Sequence, residues 1–296
     1  MVIEPGVLYV VATPIGNLGD ISARALQVLR EVNWVAAEDT RHSQGLLHHF
    51  GIRTPLLSLH DHNEQDRVPR LLEALRSGES IALIADAGTP LISDPGYPLL
   101  HAIRDEGLKA VPIPGPSSLL AALSVAGLPT DRFVFEGFPP SKPQARRQYL
   151  ETLRHEPRTL IFFESSHRIQ ESLADMAEIL GPDRPAVLAR ELTKQFEEIH
   201  AEPLSAIRDW LAEDPNRRRG EFVVMLHGTT TPRSASVTVE VSELLAQLLA
   251  ELPVKQAVAL ATRITDWPRN TLYQQALAMK GKGALASDQR KEDTEI

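Results

Sequence analysis

Continuous apolar runs alternate with amphipathic stretches along most of the chain. Residues 7–12 (VLYVVA) form an uninterrupted apolar, β-branched run, the pattern of a strand buried on both faces. In 21–32, Ala25, Leu26, Leu29 and Val32 fall on one face, which predicts a helix with Asp20 as its cap. The pattern continues with a strand at 34–37 and an amphipathic helix at 68–77 that stops at Gly78. A strand at 81–85, a helix at 99–106 ending at Gly107 and a strand at 108–113 follow. This βαβα order predicts an α/β fold with a mostly parallel sheet and helices on its faces.

The segment Pro112-Ile113-Pro114-Gly115-Pro116-Ser117-Ser118 interrupts the pattern and marks a hinge, after which 119–126 reads as a small-residue helix. A second α/β domain then repeats the logic, with strands at 132–135, 159–163, 186–189 and 221–226 and helices at 144–153, 169–180 and 204–211. The Thr- and Ser-rich stretch near 228–237 reads as a linker. Short helical patterns follow at 239–252, 255–265 and 270–279, and the polar tail is expected to be disordered. The expected layout is 1–118 for an N-terminal α/β domain, 119–228 for a second α/β domain, 229–238 for a linker, 239–282 for a helical unit and 283–296 for a tail.

Composition narrows the class. The chain has 296 residues, 43% hydrophobic, enough for two domains with real cores. Its net charge of −8 argues against a polycation that coats nucleic acid, while leaving room for local basic patches. It has no cysteine, so there is no disulfide framework, thiolate nucleophile or cysteine metal site. The first residues lack a basic n-region and break at Pro14, so they read as a strand rather than a signal peptide. No apolar run approaches the ~20 residues of a membrane span. A cytoplasmic location without membrane association is the expectation.

Two loops carry the ligand signal. Residues 81–98 (IALIADAGTPLISDPGYP) run from an apolar strand into two proline-braced turns, a device that builds a crevice at the carboxyl edge of a sheet. Asp86 and Asp94 within them are potential catalytic acids. In the second loop, Pro14, Gly16 and Gly19 imitate a dinucleotide G-x-G-x-x-G, and Asp39 lies where a ribose-binding acid would sit. Proline does not supply the backbone of the first glycine, however, and Asp20 at a helix start would repel a pyrophosphate. A ligand without a phosphate chain fits better, and S-adenosylmethionine is such a ligand.

Polar clusters offer chemistry beside these loops. Glu38-Asp39-Thr40-Arg41-His42 closes one strand, and His60-Asp61-His62-Asn63-Glu64 follows. Capping and surface ion pairs explain them as well as general base catalysis does. The spacing of His60 and His62 meets no zinc pattern, so no metal is expected. Basic residues gather at 139–147, 164–168, 190–194 and 217–219, where they would offer phosphate contacts. Near the C-terminus, Lys255, Arg263, Arg269, Lys280 and Lys282 stand against Asp266. Spacing alone favours a plain helical hairpin there over a helix-turn-helix, and the basic excess points to RNA or DNA contact.

VATPIGNLGDIS, AEDTRHS, HDHNE, DAGTPLISDPGY, PIPGPSS, FEGFPPSK, FFESSHR, ARELTK and RGEFVV occur in the order seen in the bacterial 16S rRNA (cytidine-2′-O)-methyltransferases, which the chain therefore resembles from Val7 to about Met279. That family consists of RNA-acting members of the tetrapyrrole methylase superfamily. The resemblance implies two α/β domains with S-adenosylmethionine in the cleft between them, and a homodimer. It implies methyl transfer to a cytidine ribose 2′-oxygen in the decoding region of 16S rRNA within the small ribosomal subunit. It also implies cofactor contacts at Pro14, Ala87, Gly88, Thr89, Ile92, Ser117, Ser118, Glu164 and Leu192. Candidates near the reacting oxygen are Glu38, Asp39, Arg41, Glu64 and Lys142, with Asp39 or Glu64 as the base. On this reading Asp86 and Asp94 become loop-shaping residues. A tetrapyrrole C-methyltransferase and a non-catalytic rRNA-binding assembly factor are the competing readings; EDTR, RELTK and the extra helical unit argue against the former, and the intact cofactor loops against the latter.

Overall fold

Strands β1 (Val7–Val11), β2 (Trp34–Ala37), β3 (Leu56–Ser58), β4 (Ile81–Ile84) and β5 (Lys109–Ile113) form a parallel sheet in the order β3-β2-β4-β1-β5. The computed structural model describes residues 2–60, 62–229, 241–265 and 267–279. Alternate strand residues serve opposite faces, as the two-residue strand period requires. Val7, Tyr9, Val11, Val35, Ala37, Ala82 and Ile84 meet α1 (Ala23–Glu31) and α2 (Thr40–His49). Leu8, Ala36, Ile81 and Leu83 meet α3 (Glu64–Arg76) and α4 (Tyr97–Asp105). The helices that follow β1 and β4 therefore leave to opposite faces of two adjacent strands. A crevice forms at the carboxyl ends of such a pair.

The second sheet departs from the expected repetition of a parallel plan. Its order is β6 (Phe133–Gly137), β7 (Thr159–Ser165), β10 (Glu221–Leu226), β8 (Pro185–Arg190) and β9 (Glu198–Pro203). Only β6 and β7 are parallel; the other three pairings are antiparallel. The short link from β8 through residues 191–197 leaves no room for a crossover helix, so the chain turns back beside β8. Helices α6 (Pro143–Thr152), α7 (Ile169–Leu180) and α8 (Leu204–Glu213) cover one face. Helix α5 (Ser118–Val125) covers the other, in a cluster that also takes in Ile15 from the first sheet's loops.

Several local expectations change. Ser22, not Asp20, caps α1: its hydroxyl accepts the Ala25 N–H at 3.0 Å, while Asp20 lies exposed in a preceding 3-10 turn. Helix α2 has only a narrow apolar stripe, with Leu47 buried and Gly45 mid-helix, and so gives little periodic signal. Strand β3 is too short, and β9 too polar, to stand out by alternation. Helix α3 begins at Glu64, ahead of Pro69, which the helix accommodates.

The chain divides into two compact units, Met1–Thr231 and Pro232–Ile296. In the second, α9 (Val241–Glu251), α10 (Val254–Ile264) and a helix over 269–279 share a core of Leu245, Val258, Ala261, Leu272 and Ala276. The expected linker beyond Thr229, the expected tail, and Asp61, Asp266, Lys280 and Lys282 lie outside the described residues. Among the described residues no helix is long and apolar enough to cross a membrane.

The cap assignment has a direct test. Ser22→Ala should lower the unfolding free energy by about 1 kcal/mol. Asp20→Ala should change it by less than about 0.5 kcal/mol. The shift of the urea midpoint at unchanged slope measures both.

Candidate active site

A cavity of ≈ 490 Å³ opens at the carboxyl edge of the parallel sheet. The first domain supplies Ile15 after β1, Glu38 after β2, Asp86 to Thr89 and Ile92 to Asp94 after β4, and Ser117 and Ser118 after β5. The second domain supplies Phe138, Phe163 to Ser166, Leu192 and Gly220 to Val223.

Backbone pairing shapes the first wall. Thr13 N–H donates to the Gly88 carbonyl at 2.9 Å, and Gly88 N–H donates to the Thr13 carbonyl at 3.1 Å. Gly88 has φ +83°, and a Cβ there would lie 3.3 Å from Ile15 Cγ2. Only glycine meets both conditions without strain. Thr89 Oγ1 donates to the Pro116 carbonyl at 3.0 Å, which ties the β4 loop to the β5 loop. Ser117 caps α5 by accepting the Leu120 N–H.

Strain gathers at the rim. Leu91 (φ 71°) and Ser93 (φ 69°) flank Ile92, and Glu191 (φ 51°) and Thr193 (φ 65°) flank Leu192. Left-handed backbone at such residues costs of order 1–3 kcal/mol each and clusters at functional sites. Here it turns one apolar side chain from each domain to the cavity. Lys194 closes the same junction. Its stem packs so tightly on Gly16 that a Cβ there would overlap it, and its ammonium pairs with Glu191 at 2.9 Å and Glu221 at 2.8 Å.

The cavity is acidic. Burial, and then the negative charges of Glu38 and Asp86, push the Asp94 carboxyl up to about 7. Asp86 Oδ1 accepts the Asp39 N–H at 3.0 Å. Glu164, 2% exposed, is committed internally: it accepts from its neighbour Ser165 N–H at 2.8 Å, from Arg168 at 2.8 Å and from the Ser172 hydroxyl.

Most of the expected cofactor residues come together: Ala87, Gly88, Thr89, Ile92, Ser117, Ser118, Glu164 and Leu192 all line the cavity. Pro14 does not; its neighbour Ile15 takes the place. Among the expected reacting groups only Glu38 lines it. Asp39 caps α2 and pairs with Arg41 at 3.0 Å, and the Arg41 side chain, then its backbone N–H, hold Asp39 down at about 2. Arg41 itself points to solvent. Glu64 is buried in the first turn of α3, and Lys142 is exposed ahead of α6. Asp86 and Asp94, read as loop-shaping, also line the cavity, and Asp86 braces the loop after β2 by accepting the Asp39 N–H. Phe138, Phe163 and the opening of β10 lie within FEGFPPSK, FFESSHR and RGEFVV but were assigned no site role, because that role comes from how the two sheets meet.

The basic clusters are largely structural. Arg217 and Arg218 donate to the Trp210, Leu211 and Ala212 carbonyls at the end of α8. Arg146 is buried on Asp175 at 2.6 Å, and Arg147 bridges Asp175 and Glu178. Arg190 donates to the Arg219 and Asn216 carbonyls. These guanidiniums hold loops in place rather than stand ready for phosphates. His60 and His62 lie around the turn into α3, and no group of three or more metal-binding side chains gathers among the described residues.

Residues 7–208 match the family described as Tetrapyrrole (Corrin/Porphyrin) Methylases, and 235–280 match the RsmI C-terminal HTH domain. The latter replaces the plain hairpin that spacing favoured. The Ribosomal RNA small subunit methyltransferase I of Pseudomonas aeruginosa is 56% identical over 278 residues, covering 94% of this chain and 99% of that protein. The protein of the same name from Escherichia coli O157:H7 is 51% identical over 276 residues, covering 93% and 96%. Among solved structures, the methyltransferase CobJ superposes with a TM-score of 0.55 at 18% identity, covering 77% of this chain and 96% of that one. A diphthine synthase does so at 0.54 and 19%, covering 75% and 90%. Those two likenesses speak for the fold alone. Family match, near full-length identity and a cleft at the expected sheet edge agree, and the chain belongs to the ribosomal RNA small subunit methyltransferase I family within the tetrapyrrole methylases.

Proposed function

We propose that this chain transfers a methyl group from S-adenosylmethionine to the ribose 2′-hydroxyl of a cytidine in the decoding region of 16S rRNA. It acts in the cytoplasm, as a homodimer, on the small ribosomal subunit. The observation that carries the reading is the joining, in one chain, of a methylase cleft with a match to the RsmI C-terminal domain, at high identity to relatives named for small-subunit rRNA methylation. The acidic net charge and the internally engaged arginines favour recognition of a folded ribonucleoprotein by shape over coating of naked RNA.

The cavity residues fit the cofactor. The bare Cα of Gly88 permits close approach of a ligand to main chain. Ile92 and Leu192 offer apolar walls, Ser117 and Ser118 offer hydroxyls, and Glu38, Asp86 and Asp94 suit a ligand that carries positive charge. The residues that would hold it are Ala87 to Thr89, Ile92, Ser117, Ser118 and Leu192, largely through backbone. Pro14 and Glu164 then shape the walls that support these contacts. When bound, the cofactor supplies a methyl group on a positively charged sulfur.

A ribose hydroxyl is a poor nucleophile at neutral pH. The protein must hold it in line, and alignment can supply ~7–11 kcal/mol in ideal intramolecular geometry. Apolar walls that exclude water favour a step in which charge disappears. A group in the cavity must also take the hydroxyl proton.

Small subunits from cells lacking the modification should accept labelled methyl groups from the purified chain, and nuclease digestion should recover the label as 2′-O-methylcytidine. Naked 16S rRNA should accept far less. Incorporation only into a porphyrinoid substrate would move the chain to the tetrapyrrole C-methyltransferases, and rRNA binding without affinity for S-adenosylhomocysteine would make it an assembly factor. Gly88→Val should weaken S-adenosylhomocysteine binding by calorimetry at least about tenfold, equivalent to ~1.4 kcal/mol. Unchanged affinity would remove the β4 loop from the cofactor site.

A further inference from the structure

We propose that the C-terminal helical unit grips unpaired nucleotides of the rRNA, stacking bases on Trp267 and Tyr273 while Arg263 and Arg269 neutralise their phosphates. The inference rests on the methyl-transfer reading above and adds an RNA-holding surface outside the cleft.

The unit buries one set of side chains and leaves another open. Ala257, Val258 and Ala261 of α10 are buried, as are Leu272 and Ala276 of the helix over 269–279. Leu260, Ile264, Trp267, Tyr273 and Leu277 stay exposed. Leu260 and Ile264 stand one turn apart on α10, with Arg263 beside them. Arg269, Tyr273 and Leu277 repeat that spacing and share one stripe of the following helix. Trp267 lies in the turn that joins the two helices. Trp267 and Tyr273 are each 44% exposed, so each keeps an open surface for a partner.

Charge selects the partner. Residues 252–279 carry Lys255, Arg263 and Arg269 against the single acid Asp266, in a chain whose net charge is −8. These three cations are exposed, and among the described residues no ion pair engages them. They differ in this from Arg146, Arg217 and Arg218, which brace the body of the chain. A face that joins aromatic rings to exposed cations suits a polyanion with π-faces better than a protein surface.

Groove geometry decides which form of RNA it takes. Residues 235–280 match a helix-turn-helix domain, and such a motif reads B-form DNA by laying a helix in the major groove. The major groove of A-form RNA is deep and narrow, and side chains do not read it. The unit must therefore engage rRNA where bases are unpaired, and aromatic rings hold such bases by stacking. Trp267 and Tyr273 supply rings at the start of the helix over 269–279, where Arg269 also stands. The contact acts on how tightly substrate is held, since binding by one unit raises the effective concentration of the target for the other unit of the same chain.

The test uses the full chain, with Tyr273→Ala and Trp267→Ala, and with Tyr273→Phe as the variant that keeps the ring. In methyl transfer to unmodified small subunits, each alanine variant should raise KM about fivefold or more at unchanged kcat. Tyr273→Phe should stay within about twofold of wild type. S-adenosylhomocysteine affinity should be the same in all of them. Both aromatic side chains lie outside the buried cluster of the unit, so the alanine variants should keep the helical circular dichroism of the wild type. Arg263→Gln and Arg269→Gln give an independent reading: each should flatten the fall of log affinity with log salt by about 0.7. Unpaired RNA of mixed sequence should compete with the subunit more strongly than duplex RNA or duplex DNA.

Alanine variants with wild-type KM overturn the proposal, as does a Tyr273→Phe loss equal to that of Tyr273→Ala. Duplex DNA as the strongest competitor restores the groove reading and overturns it. A raised KM with no competition by RNA of any form assigns the face to a ribosomal protein and overturns it too. A wild type that binds S-adenosylhomocysteine yet methylates no small subunit overturns the rRNA reading and this proposal with it; that failure shows in the wild type alone.

Discussion

The reciprocal backbone pair between Thr13 and Gly88 is the constraint on which the site depends. It joins the carboxyl ends of β1 and β4, two adjacent strands whose following helices leave to opposite faces of the sheet. Because these loops are pinned together, Ile15 is carried forward into the apolar cluster of the second domain, against Leu119, Val187 and Val223. The same pinning holds Gly88 at φ +83°, where a Cβ would also crowd Ile15 Cγ2 at 3.3 Å. One short stretch of backbone thus joins the two domains and forms the first wall of the cavity.

The two domains contribute unlike sheets to one cleft. The first is parallel and offers the carboxyl ends of several strands on one edge, where loops of different length converge. The second is mainly antiparallel, and its central strand β10 brings Gly220 to Val223 to the cavity. Each side supplies one apolar residue between two left-handed neighbours, Ile92 and Leu192. Such backbone persists only where its surroundings over-determine it. Here the surroundings are the Thr89–Pro116 hydrogen bond on one side and the Lys194 pairs with Glu191 and Glu221 on the other.

Charge is divided by role. Arginines that cluster in the sequence are spent on helix-end carbonyls and on buried carboxylates. Buried Arg146 takes its short pair from Asp175 at 2.6 Å, with Glu171 at 3.5 Å beside it, and breaking such a buried pair by removing one partner is strongly destabilising. The cavity, in contrast, gathers carboxylates, and burial, then repulsion from Glu38 and Asp86, raises Asp94.

By itself the sequence determined the alternation of strands and helices, since apolar runs and amphipathic stretches report burial directly. It also marked out the two loops that line the cavity, because glycine and proline at fixed offsets after a strand leave few backbone solutions. Of the nine cofactor residues that the family resemblance implied, eight line the cavity. Elements with weak or short patterns, α2, β3 and β9, were not legible, because their place is set by neighbours rather than by their own periodicity. The antiparallel plan of the second sheet was likewise hidden, since strand patterns do not state direction. The acids were the least legible. Asp39 and Asp94 are the same residue type, each beside a strand end. Only the tertiary structure decided that one is neutralised by Arg41 in solvent while the other is held near Glu38 and Asp86 in the cleft, and distance and burial, not residue type, set the strength of a base.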